Sequence, residues 1–192
     1  MEISSDRILT THVGSLPRPA NLEDLLYKVE FEEPYDSLEL DAAVTEAVAE
    51  MVTQQRSLGL DIINDGEMSK TGYATYIQQR LGGFSGDSPS VRFDDLSNFP
   101  GYRKMLSRMA ETRRLKRPCC TGEVIIRDRE PLRKDLKNLT AAAQGSDATE
   151  FFMNAASPGV ISVFQTNEYY PDDDAYLDAL SGVMREEYEA II

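Results

Sequence analysis

The alternation of short β-type runs with amphipathic helical stretches constrains this chain more than any other feature. Residues 8–13 (ILTTHV), 60–64 (LDIIN), 119–126 (CCTGEVII) and 151–155 (FFMNA) read as strands. Apolar stripes at three- and four-residue spacing lie between and after them. Leu40, Val44, Ala47, Val48, Met51 and Val52 form one, with Ser37 as expected cap and Gly59 as stop. Leu132, Leu136, Leu139 and Ala143 form a second; Leu177, Leu180, Met184 and Ile191 form a third, behind three aspartates. Residues 21–27, 75–81 and 102–115 are predicted helical too. Residues 82–100, rich in Gly, Ser, Asp and Pro, read as a loop or hairpin excursion.

Four strand–helix repeats predict a parallel sheet with helices outside. Two α/β architectures satisfy that pattern. One is a doubly wound sheet. The other is a (β/α)8 TIM-type barrel, of which residues 1–192 form one N-terminal half, about the first four β/α units. Either places its chemistry at the carboxyl ends of the strands. Gly14-Ser15, Asp65-Gly66-Glu67 and residues 154–159 are therefore expected to meet at one mouth. The doubly wound form calls for a glycine-rich phosphate loop after its first strand, and GSLPRP is not one.

Composition narrows the partners. At 192 residues, 41% hydrophobic and 28% charged, the chain is long and apolar enough to fold around a core. A formal net charge of −13 argues against nucleic acid and anionic membranes. No apolar run approaches the roughly 20 residues of a membrane span. MEISSDRILTT lacks a signal-peptide core, so the cytoplasm is the expected compartment. Cys119 and Cys120 are neighbours and point to opposite faces of a strand. With a single histidine, a self-contained His/Cys metal site is not expected. The last residues, REEYEAII, stop inside a helical stretch, so a truncated chain or a half that needs a partner is expected.

The stretches TTHVGSLPRP, LDIINDGEMSKTGYATYI with the following GGF, and SPGVISVFQTNEYYP resemble the cobalamin-independent methionine synthase family, in particular its single-barrel branch. The resemblance runs from about Arg7 to the last residue. It implies a (β/α)8 barrel that transfers a methyl or other alkyl group to a thiol activated on zinc. The thiol it implies is homocysteine, and the donor methyltetrahydrofolate. Zinc coordination makes such chemistry possible at neutral pH by holding the thiol as thiolate. The family's zinc ligands are expected beyond Ile192, so no metal is assigned to this chain and catalysis is not expected from it alone.

The resemblance also implies site residues. Ser15, with Gly14, matches the first-strand GS motif that holds the amino-acid part of homocysteine. Gly14 lets backbone approach a ligand, and Ser15 offers a hydroxyl. Glu67 matches the second-strand GE motif that binds the ammonium; as a structural residue it would instead pair with a cation such as Lys70. Asp65 lies two residues earlier and shares the face of Glu67 if the strand continues. His12 stands where the family commonly has threonine and is a candidate acid–base group. Arg18 is expected at the surface, or on a substrate carboxylate or folate tail. Pro17 is expected to stiffen the loop.

One departure concerns the donor. Folate-using members carry Arg-Asn-Asp-Met after GE, whereas this chain has Met68-Ser69-Lys70-Thr71-Gly72-Tyr73. An epoxide–coenzyme M type thiol alkyltransferase is therefore an alternative. A non-catalytic half-barrel assembly module is another, since an open sheet edge favours self-association. A related metal-free decarboxylase barrel fits the GS and GE motifs less well.

Overall fold

Helix boundaries follow from where the chain finds its caps. The structure is a computed structural model and describes residues 2–86, 96–111 and 118–192. Helix α1 (Ala20–Glu30) starts directly after Pro19 and buries Leu22, Leu25 and Leu26. Helix α2 (Ser37–Ser57) is capped by Asp36, whose side chain accepts from the Leu38 and Glu39 amides; the expected cap, Ser37, is the first helical residue. Strand β1 is Ile62–Ile63, a 3-10 turn spans Tyr76–Gln79, and β2 is Leu81–Ser85. Helix α3 is Pro100–Glu111, β3 is Cys119–Ile126 and α4 is Glu130–Gln144. Strand β4 is Glu150–Phe151. Helix α5 (Pro158–Phe164), not foreseen from the sequence, is capped by the Ser157 hydroxyl. Asp172 caps α6 (Asp173–Ile191).

Three segments run in parallel. Thr11 bridges Ile62, and β1 pairs with β4 in the register Ile62↔Glu150 and Ile63↔Phe151. Each segment lies beside its predecessor in the chain, and α2 packs against α4 on the outside. The Arg7 guanidinium ties this first segment to Asp61, whose carboxylate also accepts from the Thr10 amide at 2.8 Å. That guanidinium holds the Asp61 carboxyl well below the usual carboxylate range.

The third expected strand does not join the parallel set. Strand β3 pairs antiparallel with β2, Leu81↔Ile126 and Ser85↔Cys119, with a bulge between Gly82 and Phe84. Gly83 sits there at φ +98°, and a Cβ would lie 2.5 Å from the Glu123 carbonyl oxygen. Among the described residues the expected four parallel strands appear as the parallel set of Thr11, β1 and β4 plus this antiparallel ribbon, whose β3 also forms an isolated parallel bridge from Cys120 to Asn167. The predicted helix over 75–81 becomes the 3-10 turn and the start of β2. The excursion expected over 82–100 opens as this ribbon; residues 87–95, and 112–115 of the predicted 102–115 helix, lie outside the described residues.

Buried ion pairs bind the ribbon's base to the helices. The Arg80 guanidinium reaches Asp135 of α4 and lies 2.7 Å from Glu187 of α6. The Tyr76 hydroxyl donates to Glu187 at 2.7 Å, and its ring lies 4.6 Å below the Arg80 guanidinium. Burial pushes the Asp135 carboxyl up, against the pull of Arg80. In the first segment, Ile8 is 82% and Val13 67% exposed. Among the described residues, no helix is long and apolar enough to cross a membrane.

Candidate functional site

The ends of the parallel segments converge as their order requires. Just past β1 the backbone turns through two left-handed residues, Gly66 at φ +60° and Glu67 at φ +58°. A side chain at Gly66 would be tight: a Cβ would lie 3.0 Å from the Met68 methyl and 3.1 Å from Met51, so those side chains would have to give by a few tenths of an ångström. A glutamate in this conformation is uncommon and marks a turn held by its surroundings. The Asn64 side chain accepts from the Gly66 amide and donates to the His12 carbonyl; the Asp65 side chain accepts from the Glu67 amide at 3.0 Å. Leu16 closes the junction by donating its amide to the Gly66 carbonyl at 3.0 Å.

This turn delivers the Glu67 carboxylate to the neighbouring segments. Ser15 Oγ donates to Glu67 Oε2 at 2.6 Å, and Asn154 Nδ2 donates to Oε1 at 3.3 Å. Glu67 is 2% exposed, while Ser15 reaches solvent. Both carboxylate oxygens thus meet neutral donors. Among the described residues, no lysine or arginine forms an ion pair with this carboxylate.

Lys70, the cation expected to pair with Glu67 in a purely structural role, goes elsewhere. It is buried, donates to the Asn154 carbonyl at 2.6 Å, and lies 5.1 Å from the Tyr76 ring centre. Past Phe152, whose amide still donates to the Ile63 carbonyl at 3.0 Å, side chains hold the backbone. Tyr73 donates to the Ala155 carbonyl at 3.0 Å, the Ala156 amide donates to the Tyr76 hydroxyl at 3.1 Å, and Tyr188 donates to the Ala156 carbonyl at 2.7 Å. This framework aims Asn154 at Glu67. Sequence reasoning placed Asn154 at a strand end without giving it a partner. The strand ends before Asp65, so Asp65 and Glu67 do not share a strand face; Asp65 braces the turn instead. His12 is half-buried with Nε2 2.9 Å from the Gly14 carbonyl oxygen. Gly14 lies beside it at φ +102°.

A cavity of about 490 Å³ lies between α1, α2, α4 and the 3-10 turn, with Lys70, Arg80 and Asp135 on its wall. Ser15, Glu67 and Asn154 do not line it. Among the described residues, no three His, Cys, Asp or Glu side chains are grouped to hold a metal ion.

Residues 8–169 match the family described as cobalamin-independent synthase, catalytic domain. The chain is 24% identical over 183 residues to a methionine synthase of Sulfolobus acidocaldarius, covering 95% of this chain and 48% of that protein. Over 76 residues it is 33% identical to a 5-methyltetrahydropteroyltriglutamate–homocysteine methyltransferase of Thermosynechococcus vestitus, covering 40% of this chain and 10% of the relative. The chain thus spans about half the length of the first relative and a tenth of the second. Among solved structures it resembles a B12-independent methionine synthase from a Shewanella species in complex with selenomethionine, at TM-score 0.68 and 18% identity, covering 95% of this chain and 47% of that one. A second likeness is to a putative vitamin-B12 independent methionine synthase from Listeria monocytogenes, at TM-score 0.61 and 19% identity, with 94% and 46% covered. The likenesses establish an α/β fold of that kind, and the family match covers most of the sequence: the chain belongs to the cobalamin-independent methionine synthase catalytic-domain family.

Proposed function

We propose that this chain is the amino-acid-binding part of a methyltransferase of that family, one that accepts an alkyl group on a thiol amino acid such as homocysteine. The observation that carries the reading is the buried Glu67 carboxylate, 2.6 Å from Ser15 Oγ and, among the described residues, without an ion-paired side chain. A buried carboxylate satisfied only by neutral donors is costly, and a ligand ammonium supplies the missing charge. Ser15 offers the ammonium a second contact, and Asn154 keeps the carboxylate turned toward it. Gly14 opens the backbone beside Ser15, and Asp65 holds the turn. His12, the chain's sole histidine, is the acid–base candidate on this rim. The work of these residues is to bind and orient the thiol.

In the complete protein, zinc supplied from outside the described residues would lower the thiol pKa. The Thermosynechococcus relative is named for homocysteine and a methyltetrahydropteroyl donor. We carry over the acceptor, and a folate-type methyl donor as co-substrate, with the 68–73 stretch setting its exact class. Calorimetry of the chain with L-homocysteine and with coenzyme M, a thiol without an ammonium, tests the reading. Binding of homocysteine alone supports it. Binding of coenzyme M alone, or of neither, refutes it.

A further inference from the structure

We propose that Arg18 is a positioning residue for Glu67: its guanidinium clamps the backbone of the turn and so holds the carboxylate on Ser15. The inference rests on the reading of Glu67 as the ammonium ligand. Arg18 Nη2 donates to the Glu67 carbonyl at 2.8 Å and to the Lys70 carbonyl at 2.6 Å, and Nε donates to the Met68 carbonyl at 3.3 Å. Three carbonyls from four consecutive residues thus face one cation. They do so because Gly66 and Glu67 are both left-handed. For a residue with a Cβ that conformation persists only when its surroundings enforce it.

Two features make Arg18 the enforcing group. It sits between Pro17 and Pro19, whose rings fix φ on both sides of it. The Leu16 amide also holds the Gly66 carbonyl, so the 14–19 segment grips the turn at both ends. A planar guanidinium can span several acceptors in fixed directions, whereas the compact ammonium of lysine cannot. Burial pushes the Arg18 pKa down, with the Glu67 charge opposing, as suits a cation committed to backbone acceptors. This differs from the role in which Arg18 pairs with a substrate carboxylate.

The two roles separate on a ligand that lacks the carboxylate. Affinities of the chain and its Arg18→Lys and Arg18→Gln variants are measured for L-homocysteine and for 3-aminopropanethiol. A positioning role predicts that both variants lose about tenfold or more for both ligands, in the same ratio. Loss for homocysteine alone makes Arg18 a carboxylate ligand and overturns the proposal, as does unchanged affinity for both. Amide hydrogen exchange provides a readout that needs no ligand. Met68 and Lys70, whose amides bond within the turn, should exchange faster in the variants while Val48 and Val52 of α2 do not. Uniform exchange across turn and helix, or no change at the turn, overturns the clamp. If the unaltered chain binds neither thiol, the amino-acid reading falls and the exchange result alone decides the clamp. If Arg18→Gln does not fold, Arg18→Lys carries both measurements.

Discussion

Glu67 concentrates the account at the residue scale. It is buried, left-handed, and accepts on its two carboxylate oxygens from the neutral side chains of Ser15 and Asn154. Glu67→Gln keeps the shape and removes the charge. It should weaken homocysteine binding by about 10- to 100-fold, as expected for loss of one charge-assisted contact. Ser15→Ala should cost about tenfold, and titration calorimetry measures both. Gly66→Ala should destabilise by roughly 1–3 kcal/mol in denaturant unfolding, since it adds a strained φ to overpacking against Met68 and Met51. Ser15, Gly14 and Glu67 were legible in the sequence because GS and GE at strand ends carry a recognisable spacing. Arg18, Lys70 and Asn154 were not. Their roles depend on which backbone carbonyls a buried turn leaves facing them, and a linear sequence does not show that.

At the scale of elements, the helices were read well and the sheet less so. Stripes such as Val44–Ala47–Val48 mark a buried face directly, as α2 shows. A run such as CCTGEVII marks a strand but not its partner's direction. Its partner, LGGFS, carries two glycines that depress strand propensity, so the antiparallel pairing of β3 with β2 is not legible from the sequence. The ribbon's anchor makes a prediction. Arg80→Met would leave Asp135 and Glu187 as buried, uncompensated carboxylates. Unfolding in urea should show a loss of about 3–5 kcal/mol. The Arg7–Asp61 tie makes another. A carboxyl whose folded pKa is depressed contributes fully above its ordinary pKa of about 4, and that contribution is lost as pH falls toward the folded value. Thermal melts of the chain and of Asp61→Asn should therefore differ most above about pH 5 and converge toward about pH 2.

For the whole molecule, the family and the α/β character were legible, because the motifs extend over nearly the full sequence. The chain covers about half of each of the two solved structures described above. With Ile8 and Val13 exposed, the edge at residues 8–13 should make the isolated chain associate as concentration rises, and Val13→Lys should reduce this in sedimentation velocity. The central claim is that Glu67 and Ser15 receive the amino group of a sulfur amino acid. The most direct measurement is a crystal structure of the chain with L-selenomethionine, its selenium located by anomalous scattering. The account predicts the ligand's amino nitrogen at about 3 Å from Glu67 and Ser15 Oγ. Selenium bound elsewhere, for instance in the cavity between α1, α2 and α4, or no ligand at saturating concentration, would contradict it.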